Sequence, residues 1–168
     1  LPFRKKLPKL DGATYKLIEK GLSEPKLKRY AIDDSQYLLC FDMFGKAKET
    51  GYQKFTDMAL NFYNLIQFVI NRTPPDVIVY FLHHTETTAE GRIKAKTIGK
   101  MLDEKLTVEG CFDIVLYCQD HKFFTQSNGQ SSAKSPEGMF ELEIPNDLKA
   151  VDTTIREYYG MEDGNGKD

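Results

Sequence analysis

Apolar positions recur at spacings of three and four through Phe55, Met58, Ala59, Phe62, Leu65, Ile66 and Val69. That period gathers them on one face and predicts an amphipathic helix from Phe55 to Asn71, with the face in a core. Thr73-Pro74-Pro75-Asp76 ends it, because proline lacks the N–H and clashes inside a helix. The pattern then changes. Val77 to Leu82 is a continuous apolar run, the form of a strand buried on both faces in a parallel sheet, and it ends in His83-His84-Thr85-Glu86.

A shorter buried strand is predicted at Tyr30-Ala31-Ile32, followed by Asp33, Asp34 and a helix over Tyr37 to Phe44. Asp11 to Gly21 predicts a short helix with Tyr15, Leu17, Ile18 and Leu22 on its apolar side. Gly110 precedes a further buried strand, Phe112 to Cys118, and His121 to Gln126 predicts another after a tight turn. Asn146 to Tyr159 predicts a closing helix capped by Asn146. Leu1 to Leu10, Gly45 to Gly51, Thr87 to Gly91 and Ser127 to Gly138 are polar, or rich in glycine, serine or proline, as loops and turns are. Met161 to Asp168 is expected to be a disordered tail. Strands alternating with helices give an α/β fold, a single domain over residues 1–160, with an antiparallel addition near Phe112 to Gln126. No internal repeat is visible.

Composition narrows the function. The formal net charge is -2, so any nucleic-acid binding must come from a local patch. Three cysteines, Cys40, Cys111 and Cys118, form no CxxC pair, which argues against a disulfide framework or a zinc site and fits a reducing cytoplasm. No apolar run is long enough to span a bilayer, and the start carries no signal-peptide pattern. Because residue 1 is Leu, the expectation is that something N-terminal to it is missing from this sequence.

The residues that carry chemistry stand at strand ends. Asp33 and Asp34 follow a short strand and precede a helix, and neighbouring side chains on a strand point to opposite faces. A strand ending in Asp is how phosphate-binding ATPases hold the water shell of Mg²⁺; Asp and Ser also suit a helix cap. His83 and His84 end the second strand, where open α/β sheets bind ligands, or where a histidine can simply satisfy strand-end carbonyls. Lys94, Lys96 and Lys100 are interleaved with Ile93 and Ile98 and suit either phosphate contacts or the exposed face of a short helix.

Taken in order, several segments resemble a phage-encoded family of RecA-like P-loop ATPases, including Sak-type recombination proteins. They are Leu1-Pro2-Phe3, Ala31-Ile32-Asp33-Asp34-Ser35-Gln36-Tyr37-Leu38, Gly51-Tyr52-Gln53-Lys54-Phe55, Val77 to Glu86, Lys94 to Asp103, Thr125 to Gly129, Lys134 to Phe140 and Ile144 to Leu148. The resemblance covers almost the whole chain to Tyr159. It implies a three-layer RecA-like core with a mainly parallel sheet and an antiparallel addition. It departs from the family at the start: the first strand, the GxxxxGK[ST] loop and its helix are absent. Ala133-Lys134-Ser135 has the Lys-Ser pair without the glycines. In the resembled fold the absent strand lies inside the sheet, so its loss would leave unpaired N–H and C=O groups there.

The resemblance implies ATP and Mg²⁺ as cofactors, given a P-loop. Asp33 would bind the Mg²⁺ water shell and Asp34 would orient or deprotonate the attacking water. His84, with Thr85, would sit near the γ-phosphate. Lys134 would reach a neighbouring subunit's nucleotide, or else be a solvated surface lysine. Thr87 to Lys105 would be the region meeting single-stranded DNA through Lys94, Lys96 and Lys100, although no aromatic there offers a stacking platform. The implied protein is a homo-oligomeric ring or filament in the host cytoplasm, acting in recombination or replication. The chain as given would lack activity. The alternative is a non-catalytic phage interaction protein that binds nucleic acid or a host protein.

Overall fold

The computed structural model describes residues 9–98 and 101–161. The expectations for Leu1-Pro2-Phe3, the basic start, Lys100 and the tail from Glu162 fall outside them. The helix foreseen from Phe55 forms as α3 (Gln53–Arg72), and Met58, Ala59, Phe62, Leu65 and Ile66 are its buried face. Burying each of the larger side chains contributes roughly 1.5–3 kcal/mol. Helices α1 (Tyr15–Ser23) and α2 (Gln36–Gly45) pack against it.

Strands β1 (Arg29–Ile32) and β2 (Ile78–Phe81) pair in parallel, with Arg29 opposite Ile78 and Ile32 opposite Phe81. Neither is buried on both sides. Alternate β1 residues are exposed, and all four residues of β2 are half-buried because the strand borders a cavity. Alternation assigns the faces of β2. Phe81 packs with Ile32 on the α3 side. Ile78 and Tyr80 pack with Met139, Val151 and Ile155 on the side of α4 (Leu148–Tyr159). Helices therefore pack on both faces of β2, while the Arg29 and Ala31 side of β1 stays open.

The stretch from Thr87 to Lys105 is not one loop. Thr85–Thr87 (β3) and Ile93–Ala95 (β4) form an antiparallel hairpin, followed by one π-helical segment, Met101–Leu106, and a 3₁₀ turn, Val108–Cys111. The strand expected over Phe112 to Cys118 is regular only as β5 (Tyr117–Gln119). Ahead of it, Val115 makes an isolated bridge to Lys134. Asp120 and His121, both at positive φ, turn β5 into β6 (Lys122–Phe124) as a two-residue hairpin requires. Glu143–Pro145 (β7) completes this antiparallel sheet. The described strands thus make sheets of two, two and three strands in a mixed α/β chain.

Helix α4 is capped by Asp147, not Asn146. The Asp147 carboxylate accepts from the N–H groups of Lys149 and Ala150. Asn146 instead donates to Cys118 Sγ at 3.2 Å. At the other end Gly160, at φ 62, lets its own N–H and that of Met161 return to the carbonyls of Glu157 and Arg156.

The same helix fixes the parallel strands through a buried ion pair. Asp152 and Arg156, one turn apart, meet at 2.9 Å and are 4% and 2% exposed. Arg156 also donates to the carbonyls of Lys28 and Asp76, just before β1 and β2. Arg29 and Tyr80 donate to the Asp152 carboxylate at 2.5 and 2.8 Å. Burial alone would raise the Asp152 pKa, but these hydrogen bonds outweigh it and hold the carboxyl below its usual range. No helix among the described residues is long and apolar enough to cross a membrane.

Candidate active site at the ends of the parallel strands

β1 gives way to a three-residue turn, Asp33-Asp34-Ser35, that enters α2. Asp34 sits at φ 50, in the left-handed region that Asp adopts more readily than bulkier residues. Ser35 is fully buried and staples the two strand ends together. Its N–H donates to Leu82 O at 2.8 Å, while Leu82 N–H donates to Ile32 O at 3.0 Å. The Ser35 hydroxyl lies 2.8 Å from His83 Nδ1 and 3.1 Å from Leu82 O.

The two histidines have different tasks. His83 Nε2 is 2.8 Å from the Lys96 carbonyl, which can only accept, so Nε2 carries the hydrogen. In the neutral ring Nδ1 then accepts from Ser35. Burial pushes the His83 pKa below the ordinary imidazole value, and the Lys96 bond offsets this only in part. Its ring packs 5.9 Å from that of Phe62. His83 is therefore a neutral peg between strand end and hairpin, the structural role that its position at a strand end allowed for.

His84 is exposed and faces the carboxylate turn, with Nε2 3.0 Å from Asp34 Oδ1. Its N–H donates to Gln36 Oε1 at 3.2 Å, and its ring meets Tyr37 edge-on. Gln36 is 4% exposed, and its Nε2 has no partner among the described residues. Asp33 is exposed. Thr85 opens β3 opposite Ala95 and is exposed.

This arrangement can do two things. An imidazole and a carboxylate at hydrogen-bond distance can orient a water and move its proton. A neighbouring exposed carboxylate can hold a cation through the cation's water. Among the described residues no three His, Cys, Asp or Glu side chains converge on a metal position. Mg²⁺, however, keeps several waters and takes one or two carboxylates plus phosphate oxygens. Asp33, exposed beside Asp34, fits that donor set.

The lysines lie elsewhere. Lys94 is paired with Glu86 at 3.3 Å, across the β3–β4 hairpin. It lines a groove of about 810 Å³ together with Arg92 and Lys134, and Glu90 and Glu109 share the walls. Lys96 is exposed, and its backbone holds both histidines, since its N–H donates to His84 O at 2.9 Å. Lys134 and Lys94 are thus brought together, and Asp34 and His84 are brought together, but the two pairs do not share one pocket.

Ser35, Gln36 and Glu109 were not singled out in the sequence. Glu109 Oε1 accepts from Ala95 N–H at 2.6 Å and from Ser132 Oγ at 2.9 Å, tying β4 to the serine-rich loop. For Ser35 and Gln36 the signal was their place directly after Asp33-Asp34. For Glu109 there was none. No family model matches the chain, and no curated protein and no solved structure was found to match it.

Proposed function

We propose that this chain is the carboxylate-bearing core of a RecA-like P-loop ATPase of the phage type, acting on single-stranded DNA in recombination or replication. The observation that carries the reading is the Asp34–His84 contact beside exposed Asp33, at the carboxyl ends of two parallel strands. Ligand crevices of open α/β sheets form at such ends. In this reading Asp33 holds the water shell of Mg²⁺, Asp34 orients the attacking water and takes its proton, and His84 fixes Asp34. ATP and Mg²⁺ supply the phosphoryl group and the charge that offsets its oxygens. The phosphate cradle has to come from residues other than these 168.

The groove bearing Arg92, Lys94 and Lys134 suits a phosphate backbone. Helix α2 presents Tyr37, Phe41 and Phe44, at 44%, 62% and 77% exposure, along one side at helical spacing. That aromatic stripe supports a homo-oligomer, and it equally favours the second reading, a non-catalytic protein that binds a host partner. Calorimetry with Mg-ATP tests the main reading. The 168-residue polypeptide should bind weaker than micromolar. One carrying a phosphate-binding strand, loop and helix ahead of residue 1 should bind and turn over ATP faster with single-stranded DNA. An extended polypeptide that neither binds nor hydrolyses ATP leaves the second reading standing.

A further inference from the structure

A cavity of about 1030 Å³ lies between β2 and the stretch leading into β5. Its lining shows how it is oriented. Side chains on a strand alternate between faces, so a cavity against a face touches every second residue. This one touches Ile78 to Leu82 without a gap, and Phe112 to Cys118 without a gap. It therefore lies edge-on to both stretches, in the plane of the sheet.

The two stretches also agree on which face is which. Ile78 and Tyr80 of β2 pack toward α4 together with Ile114 and Leu116. Phe81 packs on the α3 side, and Phe112, set off from the alternation of Ile114 and Leu116 by a bend at Asp113, meets it there edge-to-face at 5.2 Å. Ile114 to Leu116 thus keeps the facing of β2 across the cavity, as a neighbouring strand of one sheet would.

The backbone groups facing the cavity follow from the bonds made on the far edges. Ile78 and Leu82 donate to Lys28 and Ile32, toward β1. Alternation turns the N–H and C=O groups of Val79 and Phe81 the other way. Val115 exchanges both its bonds with Lys134, at 2.8 and 2.9 Å, which turns those of Ile114 and Leu116 toward the cavity. No described strand pairs with β2 on that edge. Phe62 borders the cavity from the α3 layer, and Val151 and Ile155 from α4.

We infer that the cavity is a strand-binding slot. Its occupant is an extended polypeptide segment of about five residues, apolar on both faces, that hydrogen-bonds β2 on one side and Ile114–Leu116 on the other. Both faces must be apolar because helices cover both sides. The occupant lies outside the 168 residues. Leu1 to Pro8 holds Pro2, Pro8 and the run Arg4-Lys5-Lys6, and Glu162 to Asp168 is acidic and glycine-rich. Neither can supply such a strand. The slot does not depend on nucleotide chemistry, so its test and that of the ATPase reading can fail separately.

The probe is a synthetic heptapeptide of alternating valine and isoleucine with a lysine at each end. Its control carries proline at the centre, which removes an N–H and should weaken binding by ~10-fold or more. Amide hydrogen exchange of the 168-residue protein is followed with each. The slot predicts that the valine–isoleucine peptide slows exchange at Val79, Phe81, Ile114 and Leu116, and that the proline peptide does not. Equal effects of both peptides, protection confined to other residues, or no binding would overturn it. So would protection of these four amides that rises with protein concentration alone, since a second copy would then be the occupant.

Discussion

The Asp34 carboxylate meets the His84 imidazole at 3.0 Å across the ends of two parallel strands, 50 positions apart in the chain. The contact exists because Ser35 ties the turn after β1 to Leu82 and because Gln36 receives the His84 N–H. If the pair handles the attacking water, His84→Gln should lower ATP turnover by roughly 10²–10⁴-fold, the usual share of a positioned acid–base group. Mg-ATP affinity should change little. The comparison is made on the polypeptide carrying a phosphate-binding unit, and unchanged turnover would remove His84 from the site.

His83 makes stability depend on pH. Its pKa is lowered in the folded chain, while the unfolded value is about 6.5. Between the two the unfolded state binds more protons, so stability rises with pH there. The contribution is fully present above about pH 6.5 and is lost as pH falls through the folded value. Urea denaturation from pH 8 to pH 5 should show this decline, and His83→Gln, which keeps a donor for the Lys96 carbonyl, should flatten it.

The Asp152–Arg156 pair should matter more to folding than to chemistry. Asp152→Ala removes the carboxylate that the buried Arg156 meets and that Arg29 and Tyr80 also bond, loosening the hold on β1 and β2. Losing one partner of a buried pair typically costs ~3–5 kcal/mol. A loss below ~1 kcal/mol in chemical denaturation would contradict the pinning role.

Single-strand binding should depend on the cations of the groove. Replacing Arg92, Lys94 and Lys134 by alanine should lower affinity and flatten the salt dependence by ~0.7 log units per lost phosphate contact. Unchanged affinity and slope in a filter-binding titration would make them a solvated face.

Helix α3, both parallel strands and the reversal between β5 and β6 were legible because each leaves a local mark: a period of three to four, an apolar run, a short polar break between strands; the turn itself takes in His121, which was expected to open the strand. The β3–β4 hairpin was not. Its register is set by Lys94 opposite Glu86, and its far end is held by Glu109 and the loop at Ser131. These are long-range bonds that leave no periodicity. The cap of α4 fell one residue later than expected, since Asn146 and Asp147 are both good caps and only tertiary contact with Cys118 separates them. Asp33, Asp34 and His84 were legible as strand-end residues. That His84 and not His83 faces the carboxylates depends on which one the Lys96 carbonyl captures.

Steady-state ATP turnover of Asp33→Asn and Asp34→Asn, with a phosphate-binding unit ahead of residue 1, decides whether the carboxylate turn is catalytic. Both side chains are exposed, so both variants should fold. Asp33→Asn should hold Mg-ATP less well and lose turnover by orders of magnitude, because phosphoryl transfer depends on positioning and charge neutralisation. Asp34→Asn should lose turnover while Mg-ATP affinity stays nearly intact. Wild-type turnover in Asp33→Asn would mean that the carboxylate turn only starts a helix, and the ATPase reading would be wrong.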